Sequence, residues 1–189
     1  NHLTEIAGTL LALYRIDLDG YVYETELCSY LLDTNDLPAF FRNICLNFQF
    51  PNGTKKSNFV LQDVANRINI SPFCFVVSLL YYAQQQPHKH LLTKQEIGYY
   101  VLNNLDVLQG RVGVETVYHK IIEDRVNGVH KPQLSGSHDW QHIKEQFNLL
   151  ELANIVHTDR TYIWLNKEEA LSVEVFVRSL HESAFDVYA

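Results

Sequence analysis

Apolar positions recur at steps of three and four through most of the chain, and the exceptions mark its turns. The first run, Thr4–Leu13 (TEIAGTLLAL), has helical spacing and ends at the polar turn IDLDG, Ile16–Gly20. Glu24–Leu32 and Leu37–Phe48 read as two further helices separated by DTND, whose side chains favour caps and turns. FPNGTKKSN, Phe50–Asn58, has turn chemistry. Phe59–Ile68 then places Val60, Val64 and Ile68 four apart, which predicts a short helix with those three on its inner face. Ser71-Pro72 supplies a cap and a first-turn proline for a strongly apolar helix reaching about Gln85.

Thr93 and Glu96 have capping-box spacing and open a helix expected to run to about Asn104. Val114–Asn127 sets Val114, Val117, Ile121 and Ile122 on one face and stops at Gly128. Ser137 caps the next helix, in which Trp140, Ile143, Phe147 and Leu150 form the inner stripe. Two short alternating strands, Asn154–His157 and Tyr162–Leu165, flank a TDR turn, and Asn166 to Glu169 has capping-box spacing for a final helix. The fold class read from this order is mainly α with short β-hairpins. Its architecture is winged-helix, in two winged-helix-like subdomains of residues 1–90 and 91–189 that meet near Pro87–Leu92.

Composition narrows the class. The longest apolar run, Pro72–Tyr82, is shorter than the roughly 18–20 residues of a membrane span, so the chain reads as soluble and cytoplasmic with no membrane partner. Cys28, Cys45 and Cys74 sit in apolar contexts and read as free thiols rather than a zinc site or a disulfide framework. The chain begins at Asn1 and holds no methionine, which suggests a fragment, a processed chain or a sequence that has lost modified residues. A net charge of −7 argues against a general polyanion binder but leaves room for a local basic face.

Catalytic patterns are absent from the sequence. Residues 15–26 approach the spacing of a calcium loop, but Arg15 stands where the first oxygen ligand is needed. His138 and His142 have the i, i+4 spacing of a zinc helix without a glutamate directly after the first histidine. No nucleophile elbow, P-loop or acidic-x-Lys nuclease tripeptide occurs in a suitable place. No catalytic residue, metal ligand or cofactor is assigned to this fragment, and whether it belongs to an enzyme is left open.

A helix, a basic loop, a second helix and a hairpin in that order fit a winged-helix DNA-binding unit. The second helix would offer Ser135, Ser137, His138, Gln141, His142 and Lys144 to base edges and phosphates, with Lys131 in the loop and Arg160 at the wing tip.

The phrases SPFCFVVSLLYYAQQQPHKHLLTKQEIGYYVL, IIEDRVNG, LLELANIV and IWLNKEE resemble the DNA-recognition regions of AlwI- and BpuJI-like type II restriction endonucleases over about Phe48–Glu169. The resemblance implies winged-helix modules that read double-stranded DNA, joined in the full enzyme to a separate metal-dependent nuclease domain. It also implies that Asn52, Lys55 and Lys56 of the 50–58 loop contact DNA. The function expected is therefore sequence-specific duplex recognition without catalysis. The alternative is an acidic winged-helix domain that meets a protein partner.

Overall fold

A computed structural model describes residues 6–52, 57–88, 91–131, 134 and 138–182, excluding the side chains of 6, 9, 138–142, 181 and 182. Its elements are the strands β1 (Tyr14–Ile16) and β2 (Val22–Glu24), then α1 (Glu26–Thr34), α2 (Leu37–Asn47), α3 (Ser57–Ala65) and α4 (Pro72–Gln85). These are followed by β3 (Leu92–Thr93), α5 (Lys94–Ile97), α6 (Leu105–Leu108), α7 (Val114–Val126) and α8 (His138–Leu152). The chain continues through β4 (Val156–Thr158), β5 (Tyr162–Leu165) and α9 (Ala170–Glu182).

The core is organised on α4. Residues 72–80 are all buried, and the helix packs against α7 on one flank and α9 on another. An all-round apolar sequence suits a helix enclosed on every side. α8 lays Ile143, Phe147 and Leu150 inward, as its stripe predicts, and packs against α2 and β4. Trp140, the first residue of that stripe, has a side chain outside the described set. One buried cluster joins Cys45 and Ile68 to Val173 and Phe176.

The C-terminal sheet has three strands in the order β3-β5-β4, all antiparallel. β4 and β5 form the expected hairpin, but β4 starts at Val156 because Asn154 takes a left-handed φ of 58° to end α8. β3 has no sequence signature of its own. It is two residues long and exists through pairing of Leu92 with Ile163 and Thr93 with Tyr162. This strand runs directly into α5 through the capping box, in which the Thr93 side chain accepts from Glu96 N while the Glu96 carboxylate accepts from Thr93 N. The helix then widens into a π-helical turn, Gly98–Leu102.

Three expectations are corrected. The helix foreseen over Thr4–Leu13 is, within the described residues, a short π-helical turn, Ile6–Leu10, after which the chain forms the β1–β2 hairpin. Asp17 closes that hairpin, its Oδ1 accepting from Asp19 N and Tyr21 N, so the calcium-like spacing is a turn. Second, α3 ends at Ala65 and faces the other way from its expected stripe. Asp63 is buried while Val64, Leu61 and Phe59 are exposed, and Ile68 is buried beyond the helix end. Third, Asn166 does cap the last helical segment by accepting from Glu168 N, but Glu169 turns from the cap to Arg42, Asn154 and Ser172. That carboxylate thereby ties α2, the α8 terminus and the start of α9 together.

Candidate nucleic-acid interface

The outer face of α8 carries Lys144, Glu145 and Asn148, all exposed, on the side opposite Ile143, Phe147 and Leu150. A cleft of about 380 Å³ lies beside this face and is lined by Lys144, Glu145, Phe147, Asn148 and Lys94. Lys94 belongs to α5, yet its ammonium donates to the Asp159 carbonyl in the β4–β5 turn, and its backbone N donates to Thr161 O at 2.9 Å. The wing tip is thus fastened beside the helix face, with Arg160 exposed at its end. Lys94 was invisible to local sequence reading because the contact that places it spans 65 residues.

The wing has internal order. Asp159 Oδ1 accepts from Thr161 N at 2.7 Å and Tyr162 N at 2.6 Å, and these bonds to the ionised form hold its carboxyl below the usual range. Glu151, in the last turn of α8, accepts from Thr158 N at 3.1 Å and Thr158 Oγ1 at 2.9 Å, so β4 is latched to the helix.

A second polar cluster holds the approach to α8. Arg125 donates through Nε and Nη2 to the two Glu96 oxygens, at 2.6 Å each, and through Nη2 to Leu91 O at 2.8 Å. Burial pushes the Glu96 carboxyl up, but the bonds from Arg125 and Thr93 outweigh it and the net shift is downward. Beside this pair, buried Asp124 accepts from Tyr100 OH at 2.5 Å and faces Lys120 and Lys131 ammoniums at 3.1 Å each. The Tyr100 bond first, and then the two lysines, bring the Asp124 carboxyl down to about 2. Burial and the same bond push the Tyr100 phenol up.

The residues expected to touch nucleic acid are distributed as follows. Lys144 and Arg160 are exposed at the cleft and the wing tip. Lys131 is half-buried, with its ammonium on Asp124 and over the Tyr99 and Tyr100 rings. Asn52 donates its amide to Gln49 O at 2.6 Å. His138, Gln141 and His142 lie on the first turns of α8, but their side chains are outside the described set. Lys55, Lys56, Ser135 and Ser137 lie outside the described residues altogether.

Charge is segregated along the chain in a way the net value of −7 conceals. Residues 1–36 carry seven acids against Arg15 alone, whereas residues 37–189 carry 15 acids and 14 bases. Residues 37–189 are therefore nearly neutral as a whole, although α8 and the wing, residues 138–165, themselves carry Asp139, Glu145, Glu151 and Asp159 against Lys144 and Arg160. Among the described residues, no group of three or more His, Cys, Asp or Glu is placed to hold a metal, and no helix is long and apolar enough to cross a membrane.

A three-stranded sheet closing on a helix whose outer face is polar defines a mainly α, winged-helix protein. The family model described as "Restriction endonuclease BpuJI - N terminal" matches residues 1–189, and the chain belongs to that family. A solved structure, pyrene- and phenanthrene-modified DNA in complex with the BpuJ1 endonuclease binding domain, is similar to it with a TM-score of 0.87 and 37% identity. That match covers 94% of this chain and 64% of the other, so this chain spans under two thirds of its length. No curated protein matches the chain.

Proposed function

We propose that this chain is a non-catalytic recognition module that binds double-stranded DNA at a defined sequence, within a restriction endonuclease. The observation that carries the proposal is the cleft between α8 and Lys94 of α5, lined by Lys144, Glu145 and Asn148, with the wing tip tied to it through the Lys94–Asp159 bond. Family membership and the similarity to a DNA-bound domain support it. Bases are read by His138, Gln141 and His142 at the start of α8 and by Ser135 and Ser137, which precede it in the sequence, while Lys144, Arg160 and Lys94 meet phosphates. Asn52, Lys55 and Lys56 add a second contact from the subdomain of residues 1–90, and residues 91–189 form the wing-bearing subdomain. Binding needs no cofactor, and the chain acts in the cytoplasm. Cleavage in such an enzyme falls to a separate nuclease domain.

Selection from random duplexes at low salt tests this. Enrichment of one sequence, with binding lost on joint Lys144→Ala and Arg160→Ala substitution, is expected. No enrichment together with no effect of the double substitution overturns the proposal.

A second reading, a module for a protein partner, is favoured by one observation. The acidic N-terminal segment exposes Leu18, Tyr21, Val22 and Leu32. Nuclease-resistant association with a purified protein, and no affinity for any duplex, would favour it.

A further inference from the structure

Lys131 combines two properties that point in different directions. It lies in the loop leading to α8, where a lysine would ordinarily be assigned to a phosphate, yet its charge is already engaged within the fold. Its side chain retains 29% of its exposure, and its ammonium stands 3.1 Å from Asp124 Oδ2. The same ammonium lies 5.4 Å from the Tyr99 ring centroid and 5.6 Å from that of Tyr100, within cation–π range. Its carboxylate partner is 4% exposed and is further fixed by Tyr100 OH and Lys120. Pulling Lys131 out to a phosphate would strip one counter-cation from a buried carboxylate, which is costly.

Three residues further on, the loop is held again. Leu134 N donates to Gln95 Oε1 at 3.0 Å. The Leu134 side chain packs over Gly98, where an added Cβ would stand 2.9 Å from Leu134 Cδ1 and 3.3 Å from Ile143 Cδ1. Gly98 therefore leaves room for both the loop and the second turn of α8. Lys131 and Leu134 thus pin the connection to α5 and its π-helical extension four residues before α8 begins.

We infer that Lys131 is a positioning residue rather than a phosphate ligand: with Asp124, Tyr99 and Tyr100 it clamps the α7–α8 connection and sets where the first turn of α8 stands. This inference rests on the proposed DNA-reading role of α8, and it assigns the loop lysine to geometry instead of charge neutralisation. Loss of the clamp lowers affinity for the cognate duplex by misplacing the helix, without changing the number of phosphates neutralised.

Two measurements on the whole chain decide it. In the DNA-free protein, amide exchange at Leu134 reads the clamp directly. Lys131→Met and Asp124→Asn should each accelerate it about tenfold, the loss of one charge-assisted contact, and Lys131→Arg should restore most of the protection. Binding to the selection-enriched duplex and to its scrambled counterpart is then measured from 50 to 200 mM salt. Lys131→Met should weaken enriched-duplex binding about tenfold with an unchanged slope of log K against log salt, and Asp124→Asn should do the same. A slope reduced by about 0.9 in Lys131→Met, with Leu134 exchange unchanged, assigns Lys131 to a phosphate and overturns the inference. Unchanged exchange with unchanged affinity overturns it too. If no duplex binds at all, the proposed function fails, and the exchange measurement still decides whether the clamp exists.

Discussion

Replacing Arg125 by Met tests how the β3–α5 junction is held. The guanidinium satisfies both Glu96 oxygens and the Leu91 carbonyl, joining α7 to the strand that completes the wing sheet. Methionine fills much of the same volume and removes the charge. Glu96 keeps its bonds from Thr93 N and Thr93 Oγ1, at 2.8 and 2.9 Å, so the carboxylate is weakened rather than abandoned. The pair is partly solvated, with side-chain exposures of 31% and 18%, which places the loss below the roughly 3–5 kcal/mol of a fully buried pair. Charge-assisted hydrogen bonds give about 1.5–3 kcal/mol, or about 3–12 °C in melting temperature for a chain of this size.

The sign with pH follows from Glu96. Its folded carboxyl is held below its ordinary value, so its stabilising contribution is full above the unfolded value of about 4.3 and is lost as pH falls through the folded one. Urea unfolding at pH 7 and in steps toward pH 3 should show a large wild-type advantage that narrows in acid. An equal difference at every pH, or a loss under about 0.5 kcal/mol at pH 7, would refute the junction's electrostatic account.

Asn166→Ala should cost about 1–2 kcal/mol by urea titration, because the buried amide caps the segment after β5 and donates to Asn154 O at 3.1 Å. Asp124→Asn should flatten the acid limb of the stability curve between about pH 4 and pH 2, since its carboxyl lies at about 2 in the fold; an unaltered limb refutes that assignment. Lys144→Ala should reduce the salt slope of duplex binding by about 0.9, so its deficit shrinks about 3.5-fold between 50 and 200 mM salt in fluorescence anisotropy titrations.

Elements whose signals are local were legible in the sequence. The Pro72 start, the Thr93 capping box, the Gly128 stop and the Ile143–Leu150 stripe each encode their own boundary within a turn or two. The β1–β2 hairpin was not, because its strands are three residues each and largely solvent-exposed, leaving no alternation to detect. β3 is created by a partner strand about 70 residues away. The inverted α3 shows the limit of periodicity: its spacing fits a helix, but packing buries Asp63 in place of Val64. At the interface, Lys144 and Arg160 were identifiable as exposed cations near a helix and turn. Lys94 required the tertiary contact with Asp159, and the near-neutral character of residues 37–189 required charge to be counted by segment.

The central claim is that α8 and the wing together read duplex DNA. Selection from a random duplex library with the whole chain, at about 50 mM salt, tests it most directly. The account predicts one enriched sequence, bound more tightly than its scrambled counterpart, with a negative salt slope that falls by about 1.8 on joint Lys144→Ala and Arg160→Ala substitution. No enriched sequence, and affinity indifferent to both substitutions, would contradict it.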